Sequence, residues 1–170
     1  MAYYKKSIKD VLEDIIHGKM YLPAIQRKYV WKDSQITKLF DSIMLDYPIG
    51  TFLFWKVKKT IINEKDYSMY EFIKEYHDRD RNKNEPAPQP FIIGSEDETM
   101  WAVLDGQQRL TSLYIALQGT MSRKLPRKRW NNDDAFPKKE LYFDLHSEKT
   151  DDDDITYNFK FLTTEEADKN

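Results

Sequence analysis

Met100-Trp101-Ala102-Val103-Leu104-Asp105-Gly106-Gln107-Gln108-Arg109-Leu110-Thr111 is the stretch that decides the fold. Its first five residues are apolar and suit a short strand, which runs directly into Asp105-Gly106. Gly106 permits a tight turn. Leu110, Leu113, Tyr114 and Leu117 then recur at helical spacing, and Gly119 supplies the stop. A strand that turns at once into a helix presents first-turn N–H groups without intrahelical partners, at the positive end of the helix dipole. Such an end accepts an anion, and phosphate suits it. Arg109 in that turn can add a bidentate pair of charge-assisted hydrogen bonds. Gln107 and Gln108 can donate to phosphate oxygens or orient a water. Asp105 works against the anion, since a carboxylate repels phosphate. Three roles stay open for it: capping the helix, holding a Mg²⁺ between itself and the phosphates, or positioning an attacking water.

Outward from this centre, Ser7 opens a helix with Asp10 as its capping-box partner. Ile8, Val11, Leu12, Ile15 and Ile16 form its apolar face, and Gly18 ends it. Met20 to Pro23 reads as a short extended piece. Asp33 is expected to cap a second helix with the face Ile36, Leu39, Phe40, Ile43 and Met44, ended by Tyr47-Pro48-Ile49-Gly50. Thr51 to Val57 reads as a buried strand. Tyr70, Phe72, Ile73 and Tyr76 suggest a helix. Arg79 to Pro90 is polar with three prolines and reads as a flexible insertion or surface loop. Leu141 to Leu145 and Tyr157 to Phe161 alternate as half-buried strands, and Thr163-Thr164-Glu165-Glu166 is suited to start a helix.

The order of elements predicts an α/β (α+β) fold, with a small mixed sheet flanked by helices. A chain of 170 residues suits one domain, residues 1–170. The absence of Cys excludes disulfides, thiolate zinc sites and cysteine nucleophiles. No stretch approaches the roughly 20 apolar residues of a membrane span. Met-Ala-Tyr-Tyr-Lys-Lys lacks the apolar region of a signal peptide. A cytoplasmic protein is therefore expected. The net charge of −2 gives no global footprint for nucleic acid.

Two further segments carry chemistry. Pro23-x-x-Gln26-Arg27-x-Tyr29-x-Trp31 packs a rigid Pro, an amide, a guanidinium and two rings into a region of no clean period. It suits a ligand-binding loop, the alternative being an aromatic-anchored loop in which Arg27 pairs with an acid. Arg123, Lys124, Arg127, Lys128 and Arg129 form a basic cluster before Trp130. It is either a solvated loop or a contact to a nucleic-acid backbone. Trp55, Trp101 and Trp130 read as core, the alternative being contact surface for a nuclease domain.

Leu22-Pro23-x-x-Gln26-Arg27-x-Tyr29-Val30-Trp31, Leu39-x-x-Ser42-Ile43 with Tyr47-Pro48-Ile49-Gly50, and Leu104-Asp105-Gly106-Gln107-Gln108-Arg109-Leu110-Thr111 together resemble the N-terminal domain of GmrSD-type modification-dependent restriction endonucleases. The resemblance runs from about Ser7 to Phe161 and implies a compact ParB/sulfiredoxin-like domain that holds nucleotide phosphates at the strand-turn-helix. It implies nucleoside triphosphate hydrolysis regulating cleavage of modified phage DNA, and Mg²⁺, neutralising phosphate charge, is the cofactor expected for that hydrolysis. On it, Asp105 and Gln107 are the catalytic candidates, Asp105 also through Mg²⁺. Gln26, Arg27, Gly106, Gln108 and Arg109 are the phosphate-binding candidates. Relatives carry a C-terminal His-Asn-His nuclease, so the chain is expected to be the N-terminal part of a longer protein or to have a nuclease partner. His17, His77 and His146 are scattered and no Glu-x-Lys occurs, so nuclease activity is not expected of these residues alone. No Walker sequence is present, so the phosphate cradle is not of the P-loop kind. The alternative function is a DNA-binding or modification-sensing module without turnover.

Overall fold

The computed structural model describes residues 5–24, 28–65, 67–84, 98–146 and 155–169. In chain order the elements are α1 (Ile8–Ile16), β1 (Met20–Pro23), α2 (Asp33–Met44), β2 (Leu53–Lys58), α3 (Lys59–Glu64), β3 (Met69–Tyr70), β4 (Glu75–His77), α4 (Arg81–Asn84), β5 (Thr99–Asp105), α5 (Gln107–Gln118), β6 (Thr120–Ser122), a 3-10 turn (Asp133–Ala135), β7 (Glu140–Phe143), β8 (Phe159–Leu162) and α6 (Thr164–Ala167). The expected mixed α/β architecture, a small mixed sheet with helices, is present. The chain forms two compact units, the first Met1–Arg27, Thr51–Phe72 and Pro86–Gln107, the second Lys28–Gly50, Ile73–Glu85 and Gln108–Asn170.

The first unit is built on a four-stranded sheet in the order β2-β5-β1-β3. β5 runs parallel to β1 and antiparallel to β2, and β3 is antiparallel to β1. Register pairs Val57 with Met100 and Tyr21 with Ala102. Cross-strand partners share a face, so these four side chains meet Ile62 of α3 and Met69 of β3 in one apolar cluster. α1 opens with the expected capping box between Ser7 and Asp10 and buries Val11, Leu12 and Ile15.

β2 departs from its expected burial. Only Val57 of its six residues is buried, because the strand lies at the sheet edge with β5 as its neighbour. Trp55 is 37 % exposed and Trp130 56 % exposed, which overturns the reading of these rings as core. The stretch 70–76 is not a helix. Met69 and Tyr70 pair with β1, while Glu75–His77 pair with β6. Two ladders satisfy this backbone, and Phe72 and Ile73 are buried between them in sequence.

In the second unit β4 runs parallel to β6 and β7 antiparallel to β8, with a bridge from Met121 to Lys139 linking the two ladders. α5 carries seven consecutive buried residues, Leu110 to Ala116, so it is an enclosed helix rather than an amphipathic surface one. α2 buries Ile36, Leu39 and Phe40, and its Asp41 is buried as well. The Asp41 carboxylate accepts from the Thr156 N–H at 3.0 Å and the Tyr157 N–H at 2.6 Å, fastening the entry to β8. Asp33 does not cap α2. It is the first helical residue, and Gln35 satisfies the helix entrance by accepting the Lys32 N–H at 2.9 Å. The Asp33 carboxylate is drawn away by Arg123, a stronger partner than a backbone amide. Of the 79–90 stretch, Arg81–Asn84 form α4, and the Asn84 amide bonds both the N–H and the C=O of His77, at 2.9 and 2.7 Å. Residues 85–90 lie outside the described residues. The helix predicted at Thr163 is α6, with a capping box between Thr163 and Glu166.

Candidate functional site

Strand β5 ends at Asp105, whose side chain is exposed, and Gly106 makes the turn with φ +86°. An L side chain is strained at that angle. A Cβ there would also overlap the Phe52 ring, 2.9 Å from Cε1. Glycine is required twice over, by conformation and by space. α5 begins at the next residue, so Gln107, Gln108 and Arg109 form its first turn. The expected strand-turn-helix is present.

The motif's five residues divide, Asp105, Gly106 and Gln107 in the first unit and Gln108 and Arg109 in the second. Each half is held by residues of its own unit. Gly106 rests on Phe52. The Gln108 amide donates from Nε2 to the Lys28 carbonyl at 3.0 Å and accepts the Val30 N–H on Oε1 at 3.0 Å. This is the pattern a neighbouring strand would offer, delivered by one side chain. Arg109 donates from Nη1 to the Ile49 carbonyl. Next to that carbonyl, Gly50 has φ +83°, and a Cβ on it would lie 2.5 Å from Arg109 Nη1. The amide and guanidinium that sequence assigns to phosphate thus also hold the two other segments of the motif set, 28–30 and 49–50.

The segment after residue 27 is fastened at further points. Tyr29 is buried, and its hydroxyl lies 2.8 Å from Ser112 Oγ. Ser112 gives its single hydroxyl hydrogen to the Gln108 carbonyl at 2.8 Å, so Tyr29 is the donor of the pair. Burial pushes the Tyr29 phenol up to about 12. Gln26 and Arg27 lie outside the described residues.

The basic cluster separates. Arg123 reaches Asp33 at 2.5 Å, the Trp31 carbonyl at 2.5 Å and Asp78 at 3.4 Å, and its guanidinium covers the Tyr76 ring at 4.7 Å. Burial opposes its charge, yet Asp33, with help from Tyr76 and Asp78, holds its pKa above the ordinary value. The Lys124 N–H donates to Asp78 at 2.8 Å. Arg127, Lys128 and Arg129 are exposed.

Sequence reasoning missed Phe52 as the floor of the turn, Ser112 as the partner of Tyr29, and Asp33 and Asp78 as the partners of Arg123. Each of these partners is distant in sequence from the residue it meets, so no local spacing signalled it. Among the described residues no group of three or more His, Cys, Asp or Glu side chains could hold a metal ion. No helix among them is long and apolar enough to cross a membrane.

A small mixed sheet whose second strand breaks through a glycine turn into an enclosed helix, with that helix's first side chains gripping two upstream segments, defines an α/β domain organised around its Asp-Gly-Gln-Gln-Arg turn. The chain belongs to the family described as the GmrSD restriction endonuclease, N-terminal domain, whose model matches residues 8–170. It is also similar to an uncharacterized protein of Methanocaldococcus jannaschii, 30 % identical over 154 residues, which cover 91 % of this chain and 23 % of that protein. The chain thus spans less than a quarter of that relative's length.

Proposed function

We propose that this restriction-system domain binds a nucleoside triphosphate at the first turn of α5 and hydrolyses it to control cleavage of modified DNA. The observation that carries this reading is the turn at Gly106, where φ +86° and the Phe52 contact leave no room for a side chain. That turn starts α5 directly at Gln107, and the first-turn N–H groups of the helix suit phosphate oxygens. Arg109 carries five N–H donors, so holding Ile49 is compatible with a phosphate contact as well. Gln108 holds the 28–30 segment and lies one residue from Gln107, whose amide is assigned to orient water. Gln26 and Arg27 are assigned to the same phosphates on the family resemblance.

Asp105 is the motif's only carboxylate, and no acidic cage accompanies it among the described residues. That donor set does not suit a resident metal, but it does fit Mg²⁺ arriving with the triphosphate, because Mg²⁺ is held by one or two carboxylates plus phosphate oxygens. Bound there, the ion would neutralise phosphate charge. Asp105 and Gln107 would place a water in line with the terminal phosphorus. The water oxygen would bond to the terminal phosphorus as the bridging P–O bond breaks, releasing nucleoside diphosphate, inorganic phosphate and a proton. Placement and charge stabilisation are most of what such a transfer needs. DNA cleavage is assigned to a His-Asn-His nuclease, supplied by another part of a longer protein or by a partner.

Calorimetry with a panel of nucleoside triphosphates, with and without Mg²⁺, tests this. Wild type is compared with Asp105→Asn, Arg109→Ala and the surface control Lys138→Ala. Magnesium-dependent affinity is expected in wild type and Lys138→Ala, with a loss of at least ~10-fold in the other two. A folded wild type that binds no nucleotide would discard this function.

A further inference from the structure

The loop from Lys124 to Asn132 sorts its cations from its structural residues. Arg123 is consumed internally, whereas Arg127, Lys128 and Arg129 are exposed and Trp130 beside them keeps 56 % of its surface in solvent. An indole that open is unusual for so large an apolar ring. The loop under it is firmly held. The Leu125 N–H donates to the Ala135 carbonyl at 2.7 Å, the Asn132 N–H to the Arg129 carbonyl at 3.2 Å, and Arg79 Nη1 to the Trp130 carbonyl at 3.0 Å. The indole leans on Phe136 with ring centres 5.5 Å apart, and Phe136 in turn stacks on His77 at 5.0 Å. Lys124 Nζ lies 5.6 Å from the indole centre. Nearby acids are partly offset, since Asp33 and Asp78 pair with Arg123 and the exposed Asp133 pairs with Arg79, while Asp134 is also exposed.

We propose that Trp130 with Arg127, Lys128 and Arg129 forms a platform for a single-stranded or locally unpaired polynucleotide. One base stacks on the indole and the flanking phosphates lie on the cations. The chemistry separates this ligand from its rivals. A basic run alone would bind any polyanion, but an exposed ring fixed from below adds a stacking face, and every base has one to match. In an intact duplex the base faces are occupied by their neighbours, so the ring contact selects a strand with a base free to unstack. None of its residues belongs to the α5 turn, and its occupant is a polymer rather than a mononucleotide.

The test is fluorescence anisotropy of the full chain with a labelled twelve-residue oligothymidine and, in parallel, a labelled twelve-base-pair duplex, both without nucleoside triphosphate. Wild type is expected to prefer the single strand. Trp130→Ala is expected to weaken it about 5- to 150-fold, the range of one lost base–aromatic stack, while Trp130→Phe retains much of the affinity. Lys128→Ala with Arg129→Ala leaves the ring packing intact and is expected to flatten the slope of log affinity against log salt by about 1.4. Lys9→Ala, on α1, serves as the control. Absence of single-strand binding by folded wild type overturns the proposal. So does duplex binding of equal strength that Trp130→Ala leaves unchanged, which would reduce the loop to a backbone contact.

Discussion

Gln108 and Val30 are joined by a 3.0 Å hydrogen bond from the Val30 N–H to the Gln108 side-chain oxygen, while the same amide donates to Lys28 at 3.0 Å. One side chain on the first turn of α5 therefore closes a two-bond ring on main chain 78 residues away. Gln108→Leu keeps the volume and loses both bonds. Neutral hydrogen bonds contribute about 1 kcal/mol each, so a destabilisation of about 1–2 kcal/mol is expected in urea unfolding. Val30 amide exchange should accelerate beyond the global change, because the loss is local. Gln108→Glu should keep the Val30 bond and lose the Lys28 one. Unaltered Val30 exchange in Gln108→Leu would show that the bridge does not hold this segment.

Gly106 and Gly50 both have positive φ, yet their substitutions should differ in size. At Gly106 the obstacle is the Phe52 ring, which would have to shift from the turn. At Gly50 it is the far end of Arg109, a flexible side chain. Gly106→Ala is expected to cost more than about 3 kcal/mol, combining left-handed strain of about 1–2 kcal/mol with the clash. Gly50→Ala should cost about 1–2 kcal/mol. Urea melts of both variants rank them, and a relief variant combining Gly106→Ala with Phe52→Leu should recover part of the larger loss. Equal costs would mean that Phe52 is not the floor of the turn.

The local half of this architecture was legible and the long-range half was not. The Ser7 capping box, the strand into Asp105-Gly106 and the α5 register are written within a few residues of each other, where propensity and periodicity operate. Residues 69–77 misled because their apolar spacing is also compatible with a helix, and pairing with β1 and β6 is invisible from the segment itself. Asp33 misled for a related reason, since the partner that takes its carboxylate stands 90 residues on. At the candidate site the motif located the turn and its glycine. That Gln108, Arg109 and Tyr29 are tied to Lys28, Ile49 and Ser112 depends on tertiary contacts that no spacing encodes.

Arg123 and Asp33 pair at 2.5 Å in the second unit, and removing Arg123 should leave the part-buried Asp33 carboxylate without that cation. Arg123→Leu is expected to destabilise by about 2 kcal/mol, less than a fully buried pair because both side chains retain some solvent. A double-mutant cycle with Asp33→Asn should return a coupling of about 1 kcal/mol or more in urea unfolding. Additive losses would assign the Arg123 effect to Trp31, Asp78 and Tyr76 instead.

Tyr29 supplies an alkaline signature. Its phenol is pushed up to about 12 in the folded chain, chiefly by burial, against an ordinary value of 10.0. The raised value means that the folded state disfavours the phenolate. Below pH 10 neither state ionises and the contribution to stability is fully present. As pH rises from 10 towards 12 the unfolded chain releases its proton first, and up to about 2–3 kcal/mol is lost. Urea unfolding at pH 8, 10, 11 and 12 should therefore show wild type declining more steeply than Tyr29→Phe. The variant should start about 1 kcal/mol lower, having lost the bond to Ser112, and the two curves should converge or cross above pH 11. Parallel curves across the range would mean that Tyr29 ionises as readily folded as unfolded, and that its hydroxyl is not sealed against α5.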